Sequence, residues 1–235
     1  MRAVAVAVAV LLAGLAAPGL HAQEAAPKPG AAAPATPVAI DLLFDAKQLR
    51  NAAPGSTLSY RYTLSSGIEG SPFGPPVEDR VQASVEPGKD PDTRTLTVQT
   101  FTGARRLPTA HFEDMSGNPV IGTFLEHHVL DLAKVLKGNP RYLKNAIRKA
   151  LRDGATVTPT EVTVNGVASP GWRVEIKPLA GDPIRDRLRG FDALTYTFVV
   201  SPAVPGEVVS IAASALDPQG GKLLEETLTY EPSLG

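Results

Sequence analysis

Two short segments hold the side chains best suited to chemistry: His111-Phe112-Glu113-Asp114 and Glu126-His127-His128. Imidazole and carboxylate serve as ligands for zinc or iron and as general acids and bases, so their convergence would suit a metal-dependent or other hydrolase using His111, Glu113, His127 or His128. Helical geometry weakens that reading. Successive residues of a helix turn by about 100°, so His127 and His128 point apart and cannot share a metal as an i, i+4 pair does. His128 lies about 340° round from Ile121, near the centre of an apolar stripe, with His127 at the stripe's edge. His128 therefore reads as a hydrogen-bonded core residue, and His127 as a partner for Asp131 one turn on. Neither a metal nor a cofactor is expected.

Other chemistries leave no trace. The chain has no Cys, which removes disulfides, thiolate metal sites and a cysteine nucleophile. It has no G-x-S-x-G elbow and no S-x-x-K. Gly67, Gly70 and Gly74 lie in a proline-rich loop with no helix after them, so they make no phosphate cradle. No catalytic residue is assigned, and a non-catalytic role is favoured.

Two further features suit binding. Arg141, Lys144, Arg148 and Arg152 cover an arc of about 80° on a second amphipathic helix, opposite its apolar stripe. Such a face suits an anionic envelope surface. The second is a set of strand aromatics, Tyr60, Tyr62, Trp172, Tyr196, Phe198 and Tyr230, which are candidate lining for an apolar, lipid-binding hollow.

The elements that must position these residues are legible in the period of the hydrophobic pattern. Leu58, Tyr60, Tyr62 and Leu64 alternate with polar residues, as do Val81, Ala83 and Val85, then Trp172, Val174 and Ile176. Further alternation at Leu194 to Val200, at Val209 to Ala215 and at Leu224 to Tyr230, with Thr/Val-rich runs at 93–102 and 156–164 and a weaker one at 106–113, predicts eight or nine strands. Between them, Asn118-Pro119 and Asn139-Pro140 are helix starts and Gly138 and Gly154 are stops, which frames a helical pair near 118–154. The fold class expected is α+β: a curved, half-barrel-like antiparallel sheet with a central two-helix insertion packed on one face.

The first residues are of another kind. Arg2 precedes a run of Ala, Val and Leu from Ala3 to Ala17, followed by Pro18-Gly19 and a small residue at Ala22. This is the pattern of a secretory signal peptide over residues 1–22, cleaved after Ala22. Residues 23–38, rich in Pro and Ala, read as a disordered linker. Residues 39–235 are then one β-rich domain with no transmembrane segment, exported to the periplasm. Export and a formal charge of −1 leave no role in nucleic-acid binding.

Two segments, LFDAKQLRNAAPGSTLSYRYT from Leu43 and GNPVIGTFLEHHVLDLAKVLKGNPRYLKNAIRKAL from Gly117, resemble an uncharacterised family of proteobacterial exported proteins. The likeness extends over most of residues 41–231 and implies no established activity. The order of strands, central helices and further strands is also similar to the LolA-like half-barrel carriers of lipids and lipoproteins. That second resemblance implies an apolar, lipid-like ligand.

Overall fold

The computed structural model describes residues 36–68 and 70–232. The expected signal peptide and most of the expected linker lie outside these residues. The first meander of the sheet comprises β1 (Thr57–Ser66), β2 (Val77–Pro87), β3 (Arg94–Thr100) and β4 (Ala110–Met115). Two helices follow, α1 (Val120–Leu136) and α2 (Pro140–Asp153). The second meander comprises β5 (Thr156–Val164), β6 (Val167–Ile176), β7 (Thr195–Val200), β8 (Val208–Leu216) and β9 (Lys222–Glu231). All nine strands form one antiparallel sheet in the order β4-β3-β2-β1-β9-β8-β7-β6-β5. The meanders join where β1 pairs with β9, placing Tyr60 opposite Tyr230 and Tyr62 opposite Leu228. The α+β architecture is the expected one, with an open curved sheet and the helical pair packed on it.

Alternation decides which face is buried. Leu58, Tyr60, Tyr62 and Leu64 of β1 turn inward, as do Val81, Ala83 and Val85 of β2 and Tyr196, Phe198 and Val200 of β7. Against them α1 sets Val120, Ile121, Phe124, Val129, Leu132 and Val135, all buried. Each such side chain contributes about 1.5–3 kcal/mol by leaving water. Helix α2 is buried only through Leu143, Ile147 and Leu151 and packs on α1 more than on the sheet.

The expected turn chemistry is present in most places. Asn165 and Gly166 both have positive φ, at 51° and 78°, as the tight β5–β6 hairpin requires. Asn139 caps α2 by accepting from the Arg141 N–H at 2.8 Å. Three details differ from the sequence expectation. The stop of α1 is made by Lys137, which takes the left-handed conformation at φ 50°, rather than by Gly138. The strand expected at 106–113 runs from Ala110 to Met115. A register shift where β7 meets β8 brings Val208 rather than Val209 into the core.

A short segment ahead of the sheet is pinned by its own polar contacts. Asp41–Asp45 forms a turn of π-helix, and Gln48–Asn51 a 3₁₀ turn. Gln48, fully buried, donates to Leu42 O at 2.9 Å and accepts from Asn118 N–H at 2.8 Å. Leu49 N–H donates to Ser116 O at 2.9 Å. These bonds sew residues 41–49 onto the junction between β4 and α1.

Candidate functional site

The histidines are held apart. His111 lies on the exposed register of β4, where its Nδ1 is 3.1 Å from Thr97 Oγ1 and its Nε2 is 3.9 Å from Glu113. His127 sits at the edge of α1 with its Nε2 3.7 Å from Asp131, the partner expected from the sequence. His128 is wholly buried. Among the described residues no three His, Asp or Glu side chains group as a metal site requires.

The strongest acid–base arrangement is one that the sequence reading missed. His128 Nδ1 lies 2.5 Å from Glu226 Oε2, and the Tyr62 hydroxyl donates to Glu226 Oε1 at 2.9 Å. Glu226 is 2% exposed. Burial, reinforced by the Glu226 carboxylate, holds the Tyr62 phenol far above its ordinary range, and Tyr196 is raised for the same two reasons. The ring of Tyr196 meets His128 edge-on at 5.2 Å, and Phe124 stacks on it at 6.1 Å. The cavity beside this cluster, lined by Tyr62, Phe124, His127 and Glu226 among others, measures about 20 Å³. That holds no substrate larger than a water molecule. The cluster is therefore a polar tie between α1 and β9.

The strand aromatics are also enclosed. Tyr60, Tyr62, Tyr196 and Phe198 are buried in the core, and Trp172 and Tyr230 pack partly buried against it. The elements packed over them occupy part of the hollow they were expected to line, α1 through His128 against the Tyr196 ring at 5.2 Å and the link before α1 through Asn118. Tyr60, for instance, has its hydroxyl occupied by the Asn118 amide at 3.0 Å.

Open apolar space lies instead along the other side of α1. One cleft of about 750 Å³ is lined by Leu43, Phe44, Leu107, Phe112, Met115 and Leu130, with His127 and Glu126 at its edge. A second, of about 540 Å³, runs between the helices over Leu125, Val129, Ile147 and Leu151. The two adjoin, sharing Phe44, Gly122 and Glu126 as lining, and are together termed the groove along α1. Both volumes fall in the range of small-molecule sites, roughly 300–1,000 Å³. Phe44 and Leu130 face it while remaining 40% and 43% exposed. The π-helical turn and the Gln48 bonds hold Phe44 in place.

The basic residues divide. Lys144, Arg148 and Arg152 line the inter-helix part of the groove, whereas Arg141 is exposed at the start of α2 and outside it. Lys144 is paired with Glu126 at 2.6 Å.

No protein-family model matches the chain, and no curated protein matches it. Among solved structures it is similar to the Mycobacterium tuberculosis lipoprotein LppX, with 7% sequence identity over 74% of this chain and 84% of that one. The TM-score of 0.31 makes this a loose architectural resemblance and nothing more. No helix among the described residues is long and apolar enough to cross a membrane.

The groove residues carried only a faint sequence signal. Leu130 lies about 180° round from Ile121, a lone leucine on the polar side of α1. Phe44 and the neighbouring Leu107 and Phe112 come from two separate places in the chain, and only the fold unites them.

Proposed function

We propose that this chain is an exported, non-catalytic binding protein that holds an apolar, lipid-like ligand in the groove along α1. The observation that supports this reading is a pair of adjoining apolar clefts along α1, with Phe44 and Leu130 left exposed on them. The periplasm is the proposed location, on the strength of the signal-peptide pattern in residues 1–22. The ligand contacts proposed are the groove residues, since the strand aromatics are engaged in the core.

The test is titration of the purified protein with a fluorescent fatty-acid analogue. Saturable binding is expected for the natural chain. The double substitution Phe44→Asp, Leu130→Asp is expected to weaken it by about tenfold or more, because each apolar contact is worth about 1–3 kcal/mol. Thermal unfolding should change little, as both side chains are already partly in water. Absence of saturable binding, or binding indifferent to the double substitution, would remove the proposal.

A further inference from the structure

Gly122 stands in the first turn of α1, exposed, and lines both parts of the groove. A Cβ built there would meet nothing within 4 Å, and its φ is not among the positive ones. Neither backbone conformation nor packing within the chain calls for glycine, although glycine weakens a helix relative to alanine. What it does is leave a low saddle over the helix backbone between the two clefts.

The clefts on either side of that saddle differ in charge. Around Leu107, Phe112 and Leu130 the lining is apolar, and its charged members are the acids Asp114 and Glu126. Around Ile147 and Leu151 the rim carries Lys144, Arg148 and Arg152. These three recur every fourth residue, so they form one stripe along α2 extending about 12 Å. Glu126 neutralises Lys144. Among the described residues Arg148 and Arg152 make no ion pair with any acid, whereas Lys149 on the neighbouring face is paired with Asp153 at 3.1 Å. The groove thus has an apolar end, a bare saddle, and a cationic end whose arginines are uncommitted.

We propose that the occupant is a single anionic amphiphile. Its phosphate or carboxylate head group is held by Arg148 and Arg152, and its hydrocarbon chain crosses Gly122 into the cleft of Leu107, Phe112 and Leu130. Arginine suits this role because its planar fork donates two parallel hydrogen bonds to either kind of oxyanion. The inference rests on the groove being a ligand site at all, and names the class of ligand it takes.

The experiment compares pairs of amphiphiles with the same chain, below their aggregation concentrations: a fatty acid against its alcohol, and lysophosphatidylglycerol against the phosphate-free monoacylglycerol. Binding is measured by displacement of the fluorescent analogue from the natural chain, from Arg148→Gln/Arg152→Gln and from Gly122→Leu. The anionic member of each pair should bind about tenfold more tightly or better. The arginine variant should lose that preference and keep its affinity for the alcohol. Gly122→Leu should weaken every amphiphile, with its helix content unchanged by circular dichroism. Equal binding of charged and uncharged members would overturn the head-group assignment and leave the groove standing. No binding of any amphiphile would overturn both. Binding to anionic vesicles with no uptake of monomeric amphiphile would also overturn the assignment, because the arginines would then be reading a membrane surface.

Discussion

His128 and Glu226 each look misplaced on their own element. His128 lies in the apolar stripe of α1, and Glu226 lies on the inward register of β9 between Leu224 and Leu228. Glu226 bonds the Nδ1 side of His128 and Tyr62 supplies the second bond to the carboxylate, while His128 Nε2 has no hydrogen-bond partner among the described residues. Removing one member strands the other in the core, so His128→Leu or Glu226→Leu alone is expected to cost about 3–5 kcal/mol. The double replacement His128→Leu/Glu226→Leu should restore much of that loss, since a well-packed apolar pair is often as stable as a buried ionic one. Denaturant unfolding of the two singles and the double gives the coupling directly; additive losses would contradict the pairing. The sequence reveals half of this arrangement. Helical periodicity marks His128 as a buried polar group, and an acid within the Leu224-Glu226-Leu228 alternation is its visible counterpart. That the two meet depends on how α1 lies across β9, which neither periodicity contains.

The helices illustrate what local pattern can and cannot specify. Asn139 and Pro140 mark the start of α2, because a side-chain oxygen and a fixed φ are local physics. The direction that α1 faces is less fully specified: its main stripe is buried as the period requires, yet Leu130 on its polar side also meets apolar side chains brought from outside the helix. Gly122 gives a test belonging to this scale. Gly122→Ala adds a Cβ into open space and should stabilise the helix by at most about 0.5 kcal/mol, less than in a helix interior because the site is in the first turn, raising Tm by roughly 1–2 °C in a domain of this size. A lower Tm would mean that the glycine is needed for packing after all. Paired with weaker ligand binding in the leucine variant, greater stability would identify a residue retained for function at the expense of the helix.

For the whole molecule, the decisive contact is the seam between β1 and β9, whose paired residues Ser59 and Glu231 come from opposite ends of the sheet sequence. Strand alternation predicts each of these strands and is silent about their pairing, so the sheet order is not legible in the sequence. Contacts so far apart in the chain form late and slowly, since loop closure precedes their reward. A chain ending before Lys222 should leave the two meanders unjoined and lose its cooperative unfolding transition; a sharp transition in that truncation would show that the seam is dispensable. The same topology has a mechanical side. β4 and β5 are the two margins of the sheet, and the helical pair runs from one to the other through links of only a few residues, Ser116–Pro119 and Gly154–Ala155. The helices are thus fastened like the handle of a bucket, pivoted at both rims. The handle does not swing freely, because the tie of His128 to Glu226 and the buried stripe of α1 hold its middle to the sheet just as its ends are held to the rims.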